Sequence, residues 1–121
     1  MLLAEDDDDL RDLICGHLTR EGMQVIEVED GFELRDYLAQ CGPGGETRPP
    51  DVVVTDVKMP GENGPEALLH SHFHRSPVVL ISAFVDAEVR ALAARIGVVA
   101  IFQKPFALKE LVVMIRRLTI R

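Results

Sequence analysis

Five times along this sequence, a short aliphatic run gives way to a segment whose apolar residues recur every three or four positions. The runs are Leu2-Leu3-Ala4, residues 25–28, Val52-Val53-Val54, Val78-Val79-Leu80-Ile81 and residues 98–102. A continuous β-branched run suits a strand covered on both faces, whereas a helix needs one apolar stripe. The first helical segment sets Leu10, Leu13, Ile14, His17 and Leu18 on one face, with Asp8 or Asp9 as its cap and Gly22 after its end. Residues 32–40 turn Phe32, Leu34, Tyr37 and Leu38 inward, and a short helix spans 66–72. Residues 86–96 form the next, stopped by Gly97, and 107–119 the last, with Leu108, Leu111, Val112, Ile115 and Leu118 inward. Five β–α repeats in this order predict a single α/β domain, a five-stranded parallel sheet with helices on both faces. The 121 residues suit one such unit. The Pro/Gly-rich stretch at 41–50 is a loop inside it.

Charge narrows the function. Thirteen basic residues face 20 acidic ones, and residues 5–9, Glu5-Asp6-Asp7-Asp8-Asp9, hold most of the excess; without them the balance is 13 against 15. Such a chain lacks the basic footprint of direct nucleic-acid binding. No apolar run approaches the roughly 20 residues of a membrane span. Cys15 and Cys41 make no disulfide framework, so a reducing cytoplasm is expected.

In open α/β sheets, ligands bind beyond the carboxyl ends of the strands. Those ends carry Glu5 and Asp6, then Asp56, then Ser82 and Ala83, then Lys104; Glu29 and Asp30, after the second strand, are peripheral. Three converging carboxylates repel one another and raise the pKa of at least one unless a cation joins them. Octahedral Mg²⁺ on carboxylates, a carbonyl and water answers that need. With the Lys104 ammonium, the Ser82 hydroxyl and the Ala83 amide, the set suits a phosphoryl group. No His or Cys stands at these ends as a rival nucleophile, so Asp56 is the candidate for an aspartyl phosphate.

These segments resemble the receiver domain of bacterial two-component response regulators over essentially the full length. The matching stretches are Leu2-Leu3-Ala4-Glu5-Asp6-Asp7, Pro50-Asp51-Val52-Val53-Val54-Thr55-Asp56-Val57-Lys58-Met59-Pro60-Gly61 with Gly64, Val79-Leu80-Ile81-Ser82-Ala83, and Gln103-Lys104-Pro105-Phe106. The resemblance implies the (βα)₅ flavodoxin-like fold, Mg²⁺, and phosphorylation of Asp56 by a sensor histidine kinase or a histidine phosphotransfer protein. It makes Asp6 the closer metal ligand and Glu5 one acting largely through water. Asp56 becomes ligand and phosphoacceptor together, and the Lys58 carbonyl the last protein ligand. Ser82 matches the switch hydroxyl, Lys104 the family lysine, and Lys104-Pro105 a cis candidate. Lys58 and Phe84 fall where the family tunes loss of the phosphoryl group.

Two departures stand out. The family usually has an aromatic residue three positions before the lysine, where this chain has Ile101; alternation turns Phe102 to the opposite face. Val98-Val99-Ala100 replace the acidic residues of one dimerising subfamily, so a monomer or weak dimer is expected.

The reading is a receiver over residues 1–121 with no output domain in this chain, switching a downstream partner, or an output domain of a longer protein, through the fourth helix, fifth strand and fifth helix. The first helix, with Arg11 and Cys15 outward, would help dock the kinase. It is not expected to be a turnover enzyme. The rivals are a receiver-like interaction module that is not phosphorylated and a small Mg²⁺-dependent phosphohydrolase. His70, His72 and His74 read as the solvated end of a helix rather than a metal site.

Overall fold

The computed structural model of the chain describes residues 1–41, 45, 47–71 and 76–119. Its elements run β1 (Leu2–Ala4), α1 (Asp8–Arg20), β2 (Ile26–Val28), α2 (Gly31–Ala39), β3 (Val53–Asp56), α3 (Gly64–His70), β4 (Val78–Ser82), α4 (Ala87–Ile96), β5 (Ala100–Gln103) and α5 (Leu108–Thr119). All strand pairs are parallel, in the order β2-β1-β3-β4-β5. That is the flavodoxin-like order, with its switch point between β1 and β3.

Strand alternation divides the core into two layers. Leu2, Ala4, Val53, Val78 and Leu80 pack with α2, α3 and α4, while Leu3, Val54, Val79 and Ile81 pack with α1 and α5. Both faces of β3 and β4 are buried, which is why Val52-Val53-Val54 and Val78-Val79-Leu80-Ile81 are unbroken apolar runs. β5 is a half-buried edge strand, and its alternation puts Ile101 in the first layer and Phe102 in the second, against Phe106.

Four helices begin in the same way. Asp7, Asp30, Asn63 and Asp86 each accept a hydrogen bond from the amide three residues on, satisfying one of the donors a helix start leaves orphaned. The cap of α1 is therefore Asp7, one position before the expected pair. α3 starts at Gly64, two residues early, because Asn63 caps it and Pro65 fits its first turn. β5 starts at Ala100 rather than residue 98, because Gly97 closes α4 at φ +79° and the chain needs two residues to enter the sheet.

Three inward assignments are corrected. The buried stripe of α1 is Arg11, Ile14 and Leu18, which leaves Leu13 54% exposed and His17 half-buried. In α2 the stripe is Gly31, Leu34 and Leu38, which rotates Phe32 outward, 56% exposed, over Gly61. Arg11, expected outward, is 7% exposed, whereas Cys15 is half-buried. Residues 42–44 of the loop, and His72 and His74, lie outside the described residues.

Candidate functional site

β1 delivers Glu5 and Asp6, β3 ends on Asp56, β4 ends on Ser82, and Lys104 follows β5. The parallel order brings these four ends to one edge. One carboxylate oxygen from each of Glu5, Asp6 and Asp56 lies within 4.8 Å of the others. Glu5 is fully buried, Asp56 is buried and Asp6 is exposed. Lys104 Nζ donates to Asp56 Oδ2 at 2.6 Å and lies 2.8 Å from Glu5 Oε1. The second contact is off hydrogen-bonding direction, so Glu5 Oε1 is buried without a hydrogen bond. The Asp7 amide donates to Glu5 Oε2, and the Lys58 amide to Asp56 Oδ1 at 3.3 Å. The Lys104–Pro105 peptide is cis.

The Glu5 carboxyl is pushed up to about 7, first by burial and then by Asp56, against the downward pull of Lys104. For Lys104, burial works to lower the value, but Asp56 and Glu5 outweigh it and hold the ammonium above its ordinary range. Glu5 and Asp56 thus share one ammonium with Asp6 beside them, and Glu5 Oε1 has that ion pair but no aligned hydrogen bond. Such a donor set fits a hard divalent cation, which takes carboxylate oxygens and keeps waters of its own. Asp6 makes no hydrogen bond or ion pair among the described residues, so its carboxylate is available to such an ion.

Ser82 faces its own loop. Its hydroxyl donates to the Phe84 carbonyl at 2.7 Å and accepts from the Phe84 amide at 3.2 Å. Ala83 is exposed beyond it, and Phe84 is 68% exposed. The side chain of Lys58 is exposed as well. A cavity of about 500 Å³ flanks the pocket, bounded by Asp7, Leu10, Leu13, Lys104 and Phe106.

Three buried polar residues here carry no sequence signal of their own. Thr55 donates to the Asp56 carbonyl at 2.9 Å. Glu62, 6% exposed, pairs with Arg35 of α2 at 3.3 Å and with His70 of α3, and so ties the β3–α3 loop to both helices. Arg11 donates to the Glu5 carbonyl at 2.7 Å. Neither apolar period nor motif spacing reports a polar side chain that becomes buried by pairing across elements. Glu29 and Asp30 stay outside the pocket, one against Arg11 and the other capping α2.

Fold and pocket together define a doubly wound α/β domain with an acid-and-lysine site at its switch-point edge. The sequence pattern of the response regulator receiver domain matches residues 1–116, and the chain belongs to that family. It is similar to the C4-dicarboxylate transport transcriptional regulatory protein DctD of Pseudomonas aeruginosa, 34% identical over 119 residues, covering 97% of this chain and 24% of that protein. It is also similar to the transcriptional regulatory protein CpxR of Escherichia coli, 32% identical over 117 residues, covering 96% of this chain and 47% of that one. The chain thus spans a quarter to a half of these curated relatives. The receiver domain of the Francisella response regulator 1452 superimposes with TM-score 0.80 at 25% identity, covering 98% of this chain and 93% of that one. The receiver domain of NtrX from Brucella abortus does so with TM-score 0.78 at 26% identity, covering 98% and 96%. Receiver domains are signalling modules rather than turnover enzymes; the family works with histidine kinases and output domains and binds Mg²⁺ in an acidic pocket.

Proposed function

We propose that Asp56 accepts a phosphoryl group from a histidine kinase or a histidine phosphotransfer protein. An Asp56 oxygen attacks phosphorus, the phosphorus–nitrogen bond breaks, and the electron pair stays on the imidazole, which takes up a proton. Glu5, Asp6, Asp56 and the Lys58 carbonyl would hold Mg²⁺, which supplies positive charge to the phosphoryl oxygens. Lys104 provides the fixed counter-charge from the protein. The observation that carries this reading is the Lys104 ammonium, 2.6 Å from Asp56 and 2.8 Å from Glu5, at the meeting of three strand ends.

Once Asp56 is phosphorylated, Ser82 exchanges the Phe84 carbonyl for a phosphoryl oxygen, and the Ala83 amide donates beside it. Releasing Phe84 moves the β4–α4 loop and biases the face formed by α4, β5 and α5 between two states. Ile101, packed into the core layer of α2–α4, takes the aromatic switch position, so Ser82 and the loop carry the change. The kinase docks on the α1 side, where Leu13 and Phe106 bound the cavity next to Lys104; Arg11, being buried, is not part of that surface.

The chain acts in the cytoplasm as a receiver throughout, monomeric or weakly dimeric. It works through a downstream protein or an output domain and makes no nucleic-acid contact of its own. No helix among the described residues is long and apolar enough to cross a membrane.

Incubation with acetyl phosphate and Mg²⁺, followed by intact mass measurement, tests the reading. One long-lived phosphoryl group, absent from Asp56→Asn and without Mg²⁺, is the expected result. Rapid release of phosphate over many turnovers means a phosphohydrolase. No gain at all means an interaction module that is not phosphorylated.

A further inference from the structure

Asp6 has an unusual position among the acids of the pocket. Its carboxylate is exposed and has no side-chain partner among the described residues, so no neighbouring side chain fixes its aim and the backbone it hangs from matters more. The peptide that joins Ala4 to Glu5 is held by β2, where the Glu5 amide donates to the Val28 carbonyl at 3.2 Å. The next peptide, which joins Glu5 to Asp6, is held by Arg11, whose Nη1 donates to the Glu5 carbonyl at 2.7 Å.

Arg11 is itself fixed by three acids. Nη2 contacts Asp8 at 2.5 Å and Glu29 at 3.3 Å, and Nε lies 3.7 Å from Glu27. These come from the first turn of α1 and from β2 and its end. A planar guanidinium can serve several acceptors at once, in directions an ammonium cannot reproduce. The side chain is 9% exposed, so the bond to the Glu5 carbonyl is shielded from water.

We propose that Arg11 is a positioning residue for metal binding: by clamping the Glu5 carbonyl, it sets the Glu5–Asp6 peptide so that Asp6 faces Glu5 and Asp56. The proposal rests on the reading of the pocket as a divalent-cation site. It adds a residue that touches neither the ion nor the phosphoryl group.

Positioning and charge make opposite predictions. Removing Arg11 takes away a positive charge and leaves Asp8, Glu27 and Glu29 uncompensated, which by electrostatics alone tightens cation binding. Loss of the clamp loosens Asp6 and weakens it. Outer partners of metal ligands typically contribute 10- to 100-fold in affinity.

The test is Mg²⁺ titration of the full chain, read by NMR amide shifts, for the native protein, Arg11→Met and Arg11→Lys. Affinity about tenfold weaker in Arg11→Met is expected, with a smaller loss in Arg11→Lys, which keeps the charge but has one donor nitrogen in place of the guanidinium's three. Unchanged or tighter binding in Arg11→Met overturns the proposal, even if its melting temperature falls. Should Arg11→Met not fold, native affinity in Arg11→Lys overturns it instead. A native chain that binds no Mg²⁺ would instead sink the reading of the pocket.

Discussion

Glu5 shows how much a single residue's burial decides. Its carboxyl stands at about 7 against an ordinary 4.5, because burial and Asp56 outweigh Lys104. Between those values the folded, metal-free chain holds a proton that the unfolded chain has released. Stability contributed by Glu5 therefore falls as pH rises from 4.5 to about 7, then levels off. Glu5→Gln is expected to remove that decline. Urea unfolding in EDTA between about pH 5 and 8 checks it, and an unchanged slope in the variant would assign the decline to another group. That three strand-end acids would meet was legible in the sequence. Which of them would be desolvated was not, because exposure differs between the adjacent residues Glu5 and Asp6 only after α1 and β2 close around the turn.

Two glycines separate local propensity from tertiary fit at the scale of the elements. Gly16 lies within α1, where an added Cβ meets nothing within 4 Å. Gly16→Ala is expected to stabilise the protein by about 1 kcal/mol through helix propensity. Gly64 opens α3 directly under the site, and its Cβ would lie 2.3 Å from the Asp56 carbonyl oxygen and 2.4 Å from Thr55 Oγ1. Gly64→Ala is expected to cost about 1–3 kcal/mol and to displace the end of β3. Urea midpoints for the two variants should move in opposite directions; equal shifts would contradict the close approach at Gly64. Helix types and their order were readable from apolar spacing. Their rotation was less so: Phe32 and Leu13 match the period of an inner stripe but flank it by one position, and the packed partners decide the angle.

For the molecule as a whole, the doubly wound order gathers ligands from distant parts of the chain, so an ion that binds them cross-links the sheet edge. Mg²⁺ that binds only the folded state raises stability by about 2.7 kcal/mol at a hundred times its Kd. Thermal melting with and without Mg²⁺ is expected to show that rise in the native chain and most of it lost in Asp6→Asn. An equal rise in Asp6→Asn would remove Asp6 from the site.

By itself the amino-acid order determined the class of fold, because strand and helix periods are written directly in apolar spacing, and it marked Asp56, Lys104 and the acidic pair through their place after strands. Tertiary structure alone decided that Arg11 is buried beneath Glu5, that Glu62 bridges α2 and α3, and that Ser82 turns toward Phe84. Each of these depends on partners from other elements, and a polar residue's burial is set by whether such partners meet it in space.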